Sequence, residues 1–216
     1  MAELDAERIA STALAIVDER GVEGFTMRAV AEALGVTPMA LYHHVKDKAA
    51  LAALVVDAAA SAYPLPSPTG RWEEDLWEMA RWMRASRAAH PLVGQLRREY
   101  RIWTPAILRM SERWLALWQQ SGLPLDDAVL AATTSSMAIV GLVEEEAIFR
   151  KLELPDEKLL SWLPNARLVF SAPHDRDADF ELLVRSLVAG MHMRLTRARK
   201  PLRRGSAKPK GRSTRK

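Results

Sequence analysis

Apolar positions in the first quarter of the chain recur at helical spacing, and residues that start or stop helices punctuate them. Residues 6–20 place Ile9, Ala13, Ile16 and Val17 on one face, with Asp5 available as N-cap and Gly21 just past the end. Met27, Val30, Ala31 and Leu34 then repeat at i, i+3, i+4 and i+7 behind Thr26, and the pattern stops at Gly35, a left-handed helix terminator. Thr37 and Pro38 read as N-cap and first position of a third short helix, because proline lacks only an N–H that would be unpaired there. Asp47 restarts the pattern, and Leu51, Leu54, Val55, Ala58 and Ala62 run down a longer fourth helix.

The segment YPLPSPTG, residues 63–70, cannot continue a helix through its three prolines and final glycine. It divides the expected organisation into a unit over residues 1–63, a linker at 64–71, a second helical unit over 72–199 and a basic, disordered tail at 200–216. Helical text resumes at roughly 71–89, 91–100, 104–121, 126–151, 156–163 and 177–199, and no stretch alternates cleanly at period two. The fold class is all-α.

Two helices of about two turns do not persist in water unaided, so the first and fourth helices must support them. With Met27, Val30, Ala31, Leu34, Leu41 and Val45 facing inward, the third helix turns Pro38, Met39, Tyr42, His43 and His44 outward. Short helices joined through a glycine-initiated three-residue turn make a helix-turn-helix, whose second member protrudes far enough to enter a DNA major groove. Helix N-termini suit phosphate, and Thr26 begins one helix while Lys46 and Lys48 bracket the start of another. Tyr42 and His44 add donors at the same rim. Arg28 is long enough to reach a guanine edge, and Met39 and the Pro38 ring suit a thymine methyl.

Charge qualifies this reading. Residues 194–216 hold eleven of the 31 Lys and Arg and no carboxylate, so residues 1–193 are net acidic by seven, and the overall +4 does not indicate a basic body. Residues 1–63 carry five basic and nine acidic side chains, which requires the carboxylates of Glu3, Asp5, Glu7, Asp18 and Glu19 to lie away from any DNA-docking face. The absence of cysteine removes disulfides, thiolate metal sites and a cysteine nucleophile, and fits an intracellular compartment. MAELDAERIA lacks the basic leader of an export signal, and the longest nearly apolar run, taken as Ala49–Ala60, is too short to span a membrane. No nucleophile elbow, phosphate-cradling loop or zinc motif is present, no metal or cofactor is expected, and Asp126 and Asp127 sit where a helix N-terminus favours negative charge.

The run FTMRAVAEALGVTPMALYHHVKDKAAL, with Leu41, Tyr42, His44, Lys46 and Lys48 forming an LY-x-H-x-K-x-K element, resembles the N-terminal DNA-binding domain of the TetR family of transcriptional repressors. The resemblance covers about residues 5–60; beyond it, RWEEDLWEMARWMRASRAAHP is similar to the opening of the regulatory domain in the tetracycline-repressor branch. It implies that Thr26, Tyr42, His44 and Lys48 hold phosphates while Arg28, Thr37, Pro38, Met39 and His43 face bases. Ala40 and His43 depart from that branch's usual residues, so no operator sequence carries over. The resemblance further implies a cytoplasmic homodimeric repressor on a palindromic operator, released by a small molecule; LLVRSLVAGMHM, apolar on more than one side, puts the expected pairing surface on residues 126–151 and 177–199. The competing reading is a helical carrier or enzyme that does not act on DNA.

Seven tryptophans, with nearby methionines, are compatible with core packing or with a cavity for an apolar or aromatic effector. The resemblance favours a pocket between the fifth and eighth helices, with Trp82, Trp103, Met110, Trp114, Met137 and Glu144 as its expected lining, whereas Trp72 and Trp77 are assigned to packing. Glu144 lies i+7 from Met137, where a carboxylate would read a cationic or hydroxylated group. One or two of Glu144, Glu145 and Glu146 can point inward, and the remainder face solvent or a subunit contact.

Overall fold

A computed structural model describes residues 4–149, 152–173 and 175–198; the expected basic tail and His174 lie outside the described residues. Among the described residues the chain is helical, with no strand. The first four helices are α1 (Ala6–Gly24), α2 (Met27–Leu34), α3 (Pro38–His44) and α4 (Lys48–Ser61). Each starts on a side-chain cap: Asp5, Thr26, Thr37 and Asp47 accept from the N–H groups of Arg8, Ala29, Ala40 and Ala50. Gly21 interrupts α1 at φ 73°, and the chain gains one more turn before Phe25. Gly35 closes α2 at φ 70°, a conformation that suits glycine because it carries no Cβ.

A hydrophobic core explains why two such short helices persist. Val30, Ala31 and Leu34 of α2 and Leu41 of α3, with Val45, are buried against Ile9, Val17, Phe25, Leu51 and Val55. Each aliphatic side chain removed from water contributes about 1.5–3 kcal/mol, far more than helix propensity supplies in two turns.

Beyond the Pro-rich segment come α5 (Trp72–Ala89), α6 (Val93–Glu99), α7 (Pro105–Gln120), α8 (Leu125–Phe149), α9 (Glu157–Leu160), α10 (Pro164–Ser171) and α11 (Arg176–Ala198). Helices α5, α7, α8 and α11 enclose a second core around Leu76, Met79, Leu117, Trp118, Ile139 and Val184. Trp114 and Trp118 both donate their indole N–H to the buried Ser135 hydroxyl at 3.0 Å, and that hydroxyl donates to the Ala131 carbonyl. Trp72 packs on Trp118 and His192, and Trp77 packs on Phe180.

Helix α7 joins the two cores, with Ile107 in the first and Trp114, Leu117 and Trp118 in the second. Leu96, Ile102 and Ile107 are buried in the first cluster, although they follow the Pro-rich segment in sequence. Arg101, at φ 52°, turns the chain after α6 so that Ile102 enters the core while Trp103 points outward. His90 Nδ1, at the end of α5, lies 2.7 Å from Asp18 Oδ2 of α1, which places that carboxylate on the side of the second unit.

Two expectations need correction. The segment expected as one helix at 156–163 is a single turn, α9, followed by a separate α10 that begins on Pro164 as a first helical residue. The longest uncharged run is 128–143 in α8, not Ala49–Ala60. By length and composition α8 could cross a membrane, yet one face of it is packed in the second core.

Asp75 anchors the linker to α5. Its side chain is 3% exposed and accepts from the Thr69 N–H and hydroxyl, both at 2.8 Å, and from the Gly70 N–H at 3.1 Å. Burial pushes its pKa up, but these donors outweigh burial and hold the carboxyl below its ordinary 3.8. Asp75→Ala is expected to lower unfolding free energy by about 2 kcal/mol in urea titrations at neutral pH. Because the folded pKa is depressed, the contribution is complete above the ordinary value and lost as pH falls through the folded one, so the gap between wild type and variant closes in acid.

Candidate nucleic-acid interface and ligand cavity

The buried side of α3 fixes its exposed side. Leu41 is fully buried, and with α3 held there Met39 is 69% exposed and Tyr42 48% exposed. Pro38, His43 and His44 are also exposed, as are Thr26, Arg28, Thr37 and Lys46. The cap bonds use an oxygen lone pair of Thr26 and Thr37, which leaves each hydroxyl hydrogen free to donate outward. Lys48 differs from the others. It is partly buried, and its Nζ stands 5.6 Å from the Phe25 ring centroid and 5.7 Å from that of Tyr100, so its charge is held by two aromatic faces.

The structure brings four of the six expected ligand residues together. Trp103, Met110, Trp114 and Met137 line a cavity of about 480 Å³ bounded by α5, α6, α7 and α8. Trp114 is buried and offers the cavity no donor, since its indole N–H is committed to Ser135 and the Ala132 carbonyl. Trp82 lies instead beside an adjoining space of about 70 Å³, and its buried Nε1 has no hydrogen-bond acceptor.

Glu144 lines a third and more polar cavity of about 590 Å³. Its carboxylate accepts from Arg98 of α6, and Arg87 of α5 stands 3.5 Å away. It is therefore already engaged by two cations and is not free to read a cationic ligand. Glu146 accepts from Arg84 at 2.5 and 2.8 Å, and Arg84 also reaches Asp177 of α11 at 2.7 Å, which ties α5 to α8 and α11. Glu145 is exposed, so two of the three glutamates point inward.

Sequence reasoning missed the arginines. Burial lowers the Arg87 pKa, Glu144 works against this, and Arg97 and Arg98 add to the lowering; Arg97 is lowered by burial in the same way. Arg97 lies 4.8 Å from the Trp103 ring centroid. Of the local signals, only the spacing of Met83 and Arg87 on one face of α5 hinted that an arginine borders the cavity.

Residues 9–55 match the family model described as bacterial regulatory proteins, tetR family, and residues 63–195 match the tetracyclin repressor-like C-terminal domain. The chain is 30% identical over 152 residues to the transcriptional repressor DrrR1 of Streptomyces coeruleorubidus, a match covering 69% of this chain and 56% of that protein. It is 29% identical over 209 residues to the class D tetracycline repressor of Escherichia coli, covering 91% of this chain and 93% of that one. Among solved structures, apo ActR of Streptomyces coelicolor superposes with a TM-score of 0.72 at 27% identity, covering 92% of this chain and 99% of ActR. ActR has also been solved with actinorhodin; that structure gives a TM-score of 0.70 at 27% identity, over 88% of this chain and 96% of ActR. With both of its parts matched, the chain belongs to the tetR family of bacterial regulatory proteins and is a helix-turn-helix transcription regulator.

Proposed function

We infer that this protein is a ligand-responsive repressor that binds a palindromic operator as a homodimer, with residues 1–63 docking on DNA, 64–71 linking and 72–199 regulating. The observation that carries the reading is the exposed face of α3, where Pro38, Met39, Tyr42, His43 and His44 stand outside a fully buried Leu41. Such a face fits the major groove, with Arg28 and the α3 side chains toward bases and Thr26, Tyr42, His44 and Lys46 toward phosphates. Lys48, held over two rings, supports α4 and α6 in this reading and meets phosphate only at its edge.

One such module buries too little surface for operator affinity, and pairing doubles the contacts. The pairing surface in this proposal is the exposed apolar side of α8 and α11, where Leu130 is 54%, Leu182 70% and Met193 45% exposed. The effector cavity is the space lined by Trp103, Met110, Trp114 and Met137, a reading supported by the ActR complex with actinorhodin. Arg97 borders that cavity, and it belongs to the same helix whose Leu96 packs into the DNA-binding core. A ligand that prefers one placement of α6 would shift the spacing of the α3 helices by its differential affinity, typically about 1–3 kcal/mol.

Operator titrations over a range of salt separate this function from that of a carrier or enzyme. Lys46→Ala and Tyr42→Phe are expected to weaken binding to all sequences, with the Lys46 change lowering the salt slope by about one. Arg28→Ala is expected to cost about 1–3 kcal/mol and to relax preference at one base position. In a protein not acting on DNA these changes would find no binding to reduce. Leu182→Glu is expected to convert the dimer to monomer in light-scattering chromatography and to abolish operator binding at nanomolar protein; a wild-type monomer would contradict the pairing surface.

A further inference from the structure

The 480 Å³ cavity is apolar over most of its wall, but its polar end is one-sided. The charged residues lining it are Arg87 and Arg97, and no Asp or Glu lines it. The hydroxyls of Ser111, Thr133 and Ser136 donate to carbonyls of their own helices, so they offer oxygen lone pairs and no spare hydrogen. In the adjoining 70 Å³ space, where the same two arginines recur, the buried Trp82 Nε1 is a further donor without an acceptor.

The surrounding charges do not balance. Arg87, Arg97 and Arg98 converge on this region, and Glu144 is the one carboxylate paired with any of them among the described residues. Glu144 accepts from Arg98 and stands 3.5 Å from Arg87, while Arg97 has the Ile102 carbonyl and the Trp103 ring as its partners. Arg97 therefore has no carboxylate partner among the described residues, and Arg87 shares the single Glu144 carboxylate with Arg98. Partly desolvated cations are costly without a counter-charge, and guanidinium forks match the two oxygens of a carboxylate.

The geometry points to an anionic effector: a flat, mostly apolar molecule that lies between Trp103, Met137 and Trp114, and turns a carboxylate or similarly acidic group toward Arg87 and Arg97. This assignment rests on the reading of the cavity as the effector site. It replaces the sequence-based expectation that Glu144 recruits a cationic or hydroxylated group. Burial that lowers both arginines' pKa values supports it, because an incoming anion relieves that destabilisation.

Calorimetric titration of the full chain with three probes of one shape tests the assignment: 2-naphthoate, its neutral amide 2-naphthamide, and the cation 2-naphthylmethylammonium. The expected result is that naphthoate binds about tenfold or more tightly than the amide, and the cation weakest. Arg97→Met and Arg87→Met should each remove most of that preference and leave amide affinity nearly unchanged, with amide binding reporting an intact cavity in each variant. Amide or cation binding as tight as naphthoate overturns the anionic assignment and leaves the cavity as an effector site. No binding of any of the three overturns the effector-site reading, and this inference with it. A preference for naphthoate that survives in both arginine variants also overturns it.

Discussion

The exposed face proposed to meet DNA depends on the anchoring of α3 through Leu41 and Val45. A seven-residue helix has too few internal hydrogen bonds to hold its own shape, so its conformation is set by the core beneath it. That core is built by α1 and α4 with Phe25 at its centre, and it extends into α6 and the start of α7. The same burial that stabilises α3 determines which side chains it offers outward. In the proposed reading, recognition by α3 is a by-product of packing: turning the helix to hide Met39 or Tyr42 would expose Leu41.

The extension of the first core across the Pro-rich segment gives the molecule a route for communication. Helix α6 contributes Leu96 to the DNA-binding core and Arg97 and Arg98 to the region of the cavities, so a shift that serves one side is felt on the other. The His90 to Asp18 contact and the acceptance of the Ala106 N–H by Asp57 at 2.9 Å add polar links between the two parts. Such a two-sided helix is the kind of element through which a few kcal/mol of differential binding can act.

The DNA-binding half was legible because its signals are local. Thr26, Thr37 and Asp47 cap helices, Gly35 ends one and Pro38 begins another, each within a few positions of the residues it controls. The regulatory half was less legible because its determinants are long-range. Glu144 pairs with Arg98 and Arg87 across 46 and 57 positions, and no spacing rule connects them. Pro164 did mark the start of α10, but the apolar Leu168, Val169 and Phe170 that follow are consecutive and not spaced on one face, so no helical period accompanied it. Trp82 and Lys48 show the same limit at single residues: one lies beside the smaller cavity, and the other spends its charge on two rings.

The central claim is that α3 reads DNA as one of a symmetric pair. Selection of bound sequences from a random duplex pool by the purified protein tests it most directly. The account predicts enrichment of an inverted repeat whose half-site centres lie roughly 34–36 Å apart along the duplex. A selected pool indistinguishable from the input would contradict it.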